Sequence, residues 1–282
     1  MGKLNLDINI NANSGFCFGV VAAINKAEKV LENGDKIYCL GQLVHNDAEM
    51  NRLESKGLIT INHDELEKIK NEKVLLRAHG EPPSTYKSAE KNNNIIIDAS
   101  CPIILKIQKR ILKAYMNGEK ILIFGKHNHP ETIGLKGHTN NEAVVFEEPA
   151  ELNIENLPQE VTLFSQTTMN LDKFRKAIDL IKKSGRQVKI NDTICRQVTN
   201  RESELRKFCE QMDIVLMVAG KNSSNGKLLY NICSECTRAY FISSVDDISP
   251  NWFKQNEKVG VTGATSTPVW QMERVKKFLQ EL

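Results

Sequence analysis

Residues 98–125 read DASCPIILKIQKRILKAYMNGEKILIFG. Turn-forming and capping residues lead into Cys101. A helix-like segment, PIILKIQKRILKAYMNG, follows and ends on Asn-Gly, a helix stop signal. KILIFG then reads as a short buried strand closing on Gly125. One cysteine, one helix, one strand and one glycine therefore follow each other as a parallel α/β unit.

The same order recurs on both sides. Cys17 in SGFCFGV (14–20) precedes VVAAINKAEKVLENG and then KIYCLG (36–41). Cys195 in NDTICRQ (191–197) precedes RQVTNRESELRKFCEQM and then DIVLMVAG (213–220). The glycines Gly41, Gly125 and Gly220 lie 24, 24 and 25 residues after their cysteines. Polar residues follow each glycine, with His45, His129 and Ser224 four positions on. A second strand-to-turn junction comes later in each unit: VLLRAHGEPPS with His79, VTLFSQTTMN with Thr167 and Thr168, and KVGVTGATSTP with Ser266. Three matching offsets in order make a threefold internal repeat. The expected fold is α/β, with three pseudo-equivalent lobes: residues 1–98, 99–191 and 192–282. The N-terminal stretch LNLDININANSG alternates and predicts a strand leading into Cys17, placed with the first lobe, with docking on another lobe as the alternative. Ligands of parallel α/β sheets bind at the carboxyl ends of strands, so the three lobes would share a central site.

Composition narrows the function. Lys and Arg number 38 against 35 Asp and Glu, so nothing in the net charge points to nucleic acid or a polybasic membrane contact. No apolar run approaches the roughly 20 residues of a membrane helix, and MGKLNLDINI lacks the apolar core of a signal peptide. A cytoplasmic location is expected. Seven cysteines in a chain of this length are too few for a disulfide framework and suit a reducing compartment.

The cysteines divide by context. Cys39 in a strand and Cys209 in a helix read as small buried apolar groups. Cys233 and Cys236 form a CxxC, a spacing that can be redox-active or metal-binding. It lies inside a helical stretch with no second pair, which favours packing. Cys17, Cys101 and Cys195 stand at the three repeat junctions. Thiolates select zinc or iron–sulfur over magnesium or manganese, and helix N-termini stabilise negative charge. Three thiolates are one short of a closed site: either a histidine is the fourth ligand, or one iron of a cluster stays open as a Lewis acid. No GxGxxG or GxxxxGKS loop is present, so no nucleotide cofactor is implied.

The polar ring points to an anion. Lys221 to Gly226 is a small-residue turn of the kind that offers N–H groups and hydroxyls to phosphate. His45, His79 and His129 add donors at equivalent junctions. Glu131 is the one carboxylate embedded in this ring, and proton donation is its natural role. His63 reads as a surface residue near a helix N-terminus; His127 and His138 flank the second loop without a clear assignment.

Taken together, SGFCFGV, LVHN (43–46), RAHGEPP (77–83), IDASCP (97–102), HPETIG (129–134), SQTT (165–168), DTIC (192–195), GKNSSN (220–225) and ATSTPVW (264–270) resemble the LytB/IspH family of 4-hydroxy-3-methylbut-2-enyl diphosphate reductases, over nearly the whole chain. The resemblance implies a three-lobed α/β fold around a [4Fe–4S] cluster with one open iron, held by Cys17, Cys101 and Cys195. It assigns diphosphate binding to His45, His79, His129, Ser223, Asn225 and Ser266, with Ser224 adjoining. It makes Glu131 the proton source and Thr167, with Thr168 beside it, the hydroxyl near the substrate alcohol. It implies a two-electron reductive dehydroxylation to isopentenyl and dimethylallyl diphosphate, the last step of the non-mevalonate isoprenoid pathway, fed by a ferredoxin or flavodoxin. The chain departs from the family's usual wording at VVAA (20–23), ATSTP (264–268) and RQVTNRE (196–202). The rival classes are a non-catalytic iron–sulfur carrier or sensor, which needs no diphosphate pocket, and a zinc-bound phosphate-binding module, which needs a fourth ligand and no proton donor.

Overall fold

The computed structural model describes residues 4–221 and 223–282, without the side chains of Val198, Thr199 and Ser224. Twelve strands and ten α-helices are found among the described residues. The strands form three separate sheets of four. Two compact units carry them: Ala22–Leu43 with Gly57–Arg196, and Met1–Val21 with Val44–Lys56 and Gln197–Leu282.

The larger unit holds two sheets. One is built from β2 (Ile37–Leu40), β3 (Leu58–Ile61), β4 (Lys73–Leu76) and β5 (Ile95–Asp98) in the order β3-β2-β4-β5. The other is built from β6 (Ile121–Phe124), β7 (Val144–Phe146), β8 (Glu160–Ser165) and β9 (Gln187–Ile190) in the order β7-β6-β8-β9. The smaller unit holds β10 (Ile214–Val218), β11 (Arg238–Ile242), β12 (Lys258–Gly263) and β1 (Asp7–Ile10) in the order β11-β10-β12-β1. Every pairing is parallel.

In chain order within each repeat, the strands therefore stand second, first, third, fourth. In the third sheet α10 (Val269–Glu281) follows β12, and the fourth place is taken by a strand from elsewhere in the chain. β1 fills that place, with Asp7 opposite Lys258 and Ile10 opposite Val261. The N-terminal strand, expected to open the first lobe, instead completes the sheet of the third. The repeat is thereby closed circularly: β1, β5 and β9 hold the same sheet position and lead to Cys17, Cys101 and Cys195 in turn.

Burial explains the apolar runs. Ile214, Leu216 and Val218 pack on one face of their sheet; Val215 and Met217 pack on the other. Leu122 and Phe124 do the same against Ile121 and Ile123. A sheet covered on both faces needs continuous apolar strands. α5 (Pro102–Met116) stops at Asn117, and Gly118 follows at φ +78°, the left-handed position that Asn-Gly announces. Phe124 is fully buried, its ring 5.3 Å from Phe146 and 6.1 Å from Phe174. Phe124→Ala is expected to cost about 3–5 kcal/mol. Chemical denaturation checks this; a midpoint unchanged from wild type contradicts the packing described.

Candidate active site

The expected site residues lie at strand ends and fall into two groups, one in each unit. In the larger unit, β4 ends in a tight turn, Arg77 to Gly80. Gly80 has φ +73°, and a Cβ there would meet Gln108 at 2.5 Å and Ile104 at 2.9 Å. The turn thus brings the backbone of His79 close to α5. Cys101 caps the start of α5, and its N–H donates to the Ala78 carbonyl at 2.9 Å. α6 (Pro130–Gly137) approaches the same turn, because Gly134 leaves room for the Gly80 carbonyl, 2.9 Å from where a Cβ would sit.

α6 begins at the end of β6. His129 is its N-cap, and its Nδ1 accepts the N–H of Glu131 at 3.1 Å. A neutral imidazole used this way carries its hydrogen on Nε2 and is a donor there. The His79 and His129 rings meet edge to face, with centroids 5.4 Å apart. Glu131, in the first turn, is buried at 2% exposure. Its Oε1 accepts the N–H of Thr167 at 2.7 Å, and its Oε2 accepts the Thr167 hydroxyl at 2.8 Å. Thr167 follows β8, and its carbonyl accepts the N–H of Cys195 at 2.8 Å. Backbone and side-chain contacts therefore run continuously from Cys101 through the His79 turn, His129, Glu131 and Thr167 to Cys195.

Burial dominates the electrostatics of Glu131. Both Thr167 donors favour the carboxylate, yet loss of solvent outweighs them and pushes its pKa up from 4.5 to about 7. The group can thus hold a proton near neutrality and give it up there, as a general acid requires.

Gln166 was not singled out from the sequence. Its Oε1 accepts from the Lys126 N–H at 2.9 Å and the Thr132 hydroxyl at 3.2 Å, and its Nε2 donates to the Thr168 hydroxyl at 2.9 Å. It fixes the loop after β6 to the loop after β8. The signal was a polar residue ending an apolar strand inside SQTT. Thr168 is exposed and receives this bond; only Thr167 reaches Glu131.

The second group lies in the smaller unit. His45 precedes Asn46, the N-cap of α2 (Asp47–Glu54), and is exposed. Gly220 lets this backbone pack on the loop after β10, since a Cβ there would lie 2.8 Å from the His45 carbonyl. Ser223 is 3% exposed and caps α9 (Ser224–Cys236), its hydroxyl oxygen accepting the N–H of Gly226 at 3.0 Å. Asn225 donates to the Thr265 hydroxyl at 3.1 Å, joining this loop to the one after β12 that carries Ser266. The Ser224 side chain lies outside the described residues. Cys17 follows the left-handed Gly15, whose N–H reaches the Gly263 carbonyl, and α1 (Phe18–Leu31) begins at the next residue. A cleft of about 380 Å³ opens beside Cys17, lined among others by Ser14, Phe16, Asn200, Arg201 and Glu204.

The remaining histidines stand apart. His63 is exposed at the start of a short helix, His63–Leu66, as expected, and its Nε2 lies 3.0 Å from the buried Glu81 carboxylate, which raises its pKa. His127 pairs with Glu151 at 2.9 Å, and His138 caps the C-terminus of α6, its pKa lowered by burial. All seven cysteines are free thiols. Among the described residues, no three His, Cys, Asp or Glu side chains are grouped as ligands of a single metal ion. No helix among them is long and apolar enough to cross a membrane.

The sequence model of the LytB protein family matches residues 8–280. A 4-hydroxy-3-methylbut-2-enyl diphosphate reductase of Bacteroides thetaiotaomicron is 45% identical over 285 residues, covering 98% of this chain and 99% of the relative. That of Phocaeicola vulgatus is 46% identical, covering 97% and 98%. A solved structure of (E)-4-hydroxy-3-methyl-but-2-enyl diphosphate reductase, described as the terminal enzyme of the non-mevalonate pathway, superposes with a TM-score of 0.80 at 32% identity, covering 98% of this chain and all of that one. The corresponding Plasmodium falciparum reductase gives 0.84 at 27% identity, covering 97% and 87%. With its motifs, its three parallel sheets and these matches along nearly its full length, the chain belongs to the LytB family.

Proposed function

We propose that this chain reduces 4-hydroxy-3-methylbut-2-enyl diphosphate to isopentenyl and dimethylallyl diphosphate, consuming two electrons and two protons and releasing water. The observation that carries the reading is the buried Glu131 carboxyl, held by both donors of Thr167 and poised near neutrality. Cys17, Cys101 and Cys195 fit an iron–sulfur group by donor chemistry. All three are partly accessible and in no disulfide, and each stands immediately before the first residue of a helix. A [4Fe–4S] cluster held by these three residues, with one open iron, would supply the electrons and a Lewis acid for the substrate hydroxyl. A ferredoxin- or flavodoxin-type donor in the cytoplasm would refill it.

The chain's own residues do the rest. His45, His79, His129, Ser223, Ser224, Asn225 and Ser266 would bind the diphosphate through N–H and O–H donors, as an oxyanion requires. His129 suits this role because its Nδ1 accepts the Glu131 N–H, which puts the hydrogen of a neutral ring on Nε2. Glu131 gives up the proton that lets the hydroxyl leave as water, and Thr167 both holds that carboxyl and presents its hydroxyl to the substrate alcohol. A carrier or a zinc module has no use for a buried carboxyl kept protonated, which disfavours those readings.

The test is anaerobic turnover. The protein is reconstituted with iron and sulfide, supplied with a reduced viologen dye and given the substrate. Rapid dye oxidation with isoprenoid diphosphate products is expected; no oxidation despite an intact cluster absorption overturns the assignment. The pH profile is a second expected result. Glu131 must be protonated to act, and its pKa is raised to about 7. Turnover should therefore be full below that value and fall up to about tenfold per unit above it. A flat profile through pH 6–9 would remove Glu131 as the proton source.

A further inference from the structure

The CxxC of Cys233 and Cys236 takes no part in the reaction proposed above. Both cysteines lie on α9, where Cys236 is the last helical residue, and α8 (Arg196–Cys209) ends on a third cysteine. Cys209 and Cys233 are fully buried in one apolar cluster, against which Cys236 packs partly exposed. The Cys209 and Cys233 thiols hydrogen-bond to each other. Arg206 donates from Nη1 to the Cys236 sulfur at 3.7 Å and is itself held by Glu235 at 2.7 Å. The three thiols thus differ in access: one reachable sulfur faces a fixed guanidinium, and two lie behind it.

We propose that Cys236 and Cys233 form a thiol-exchange site that takes small-molecule disulfides of the glutathione class and closes into a reversible Cys233–Cys236 disulfide. The Cys236 sulfur attacks one sulfur of the small disulfide. That S–S bond breaks, and one half leaves as a thiolate beside the Arg206 charge. Cys233 then attacks the Cys236 sulfur of the mixed disulfide and expels the second half. Two electrons pass from the two protein thiols to the small disulfide, and the two thiol protons end on the two released thiols. The hydrogen bond with Cys209, and then burial, raise the Cys233 thiol, so the second attack is the slow one. Side chains three apart on a helix stand about 5–6 Å apart at Cβ, whereas a disulfide needs about 3.5–4.5 Å. The last turn must therefore tighten. That movement works against the cap residue, Thr237, whose hydroxyl is held by the Met212 and Asp213 carbonyls at 3.0 and 3.1 Å. A bond made under such strain is easily reduced again.

Trypsin places both cysteines in one peptide, Leu228–Arg238, and Cys209 in another, Phe208–Lys221. The reconstituted full chain is incubated anaerobically with glutathione disulfide, blocked with N-ethylmaleimide and digested. The expected product is peptide Leu228–Arg238 two hydrogens lighter, unblocked, and restored by dithiothreitol. C236S should abolish it while keeping dye-linked turnover, R206Q should slow it several-fold, and C209S should still form it. The proposal is overturned if all three thiols remain blockable, if glutathione stays on Cys236 unresolved, or if Cys209 and Cys233 cross-link the two peptides instead. The readout is a peptide mass, so it holds whether or not the chain turns over its proposed substrate.

Discussion

Glu131→Gln is expected to lower turnover by about 10²–10⁴-fold, the usual worth of a positioned proton donor, with iron and sulfide content unchanged. The substitution suits this test because it removes little else. The amide oxygen still accepts the Thr167 N–H, now made to Oε1 at 2.7 Å. The amide nitrogen replaces Oε2, and the Thr167 hydroxyl, 2.8 Å away, turns from donor to acceptor. No cavity opens, and both polar atoms of the amide keep the neighbours that the carboxylate had. Stability offers an independent check of sign. Glu131 has its folded pKa raised from 4.5 to about 7. Its protonated form is therefore favoured in the fold, and stability is lost as pH rises through that window, by on the order of 3 kcal/mol when complete. The substituted amide titrates nowhere and escapes the loss. E131Q should thus match wild type near pH 4 and be more resistant to denaturant near pH 8, while being nearly inactive at both. A variant that keeps more than half of wild-type turnover would show that the proton comes from elsewhere.

What could be read before the structure was what repeats locally. The cysteine, helix, strand and glycine of residues 98–125 recur with nearly constant spacing, and that spacing is dictated by helix length and strand rise. β1 was grouped with the first lobe, docking on another being the alternative, because its partner, β12, lies some 250 residues away. Nothing in LNLDININANSG says which sheet it joins; that follows only from its pairing with β12. Residue types were legible where pairings were not. Glu131 and Thr167 each stood out, but their contact depends on β6 and β8 being neighbours, with Phe124 opposite Ser165. Ser223 was read as a phosphate donor, and its hydroxyl oxygen is engaged as an N-cap. His63 was legible as a surface residue at a helix start, but its buried partner, Glu81, lies 18 residues away and left no mark there.

Cys101→Ser is expected to abolish turnover and to leave the reconstituted protein without the charge-transfer absorption of an iron–sulfur cluster, with bound iron and sulfide falling in step. The position allows this loss to be separated from misfolding. Cys101 is the N-cap of α5, with β-region angles of φ −60° and ψ 132° and no side-chain cap bond. Serine is among the preferred residues at such a position, since its oxygen accepts a first-turn N–H that sulfur accepts poorly. The substitution should therefore leave α5 as stable as before or slightly more so, and the Ala78 contact of the residue-101 N–H survives because it is made by the backbone. A hydroxyl, however, is not a soft thiolate: it stays protonated at neutral pH and binds iron in a cluster far more weakly. The control is Cys39→Ser. Cys39 is fully buried in β2, and burial pushes its thiol up to about 12, so it cannot serve as a thiolate ligand at neutral pH. That variant should lose stability through an added buried hydroxyl yet retain its iron. If C101S keeps a full cluster, or C39S loses one while still folded, the assignment of the three junction cysteines as the ligand set fails.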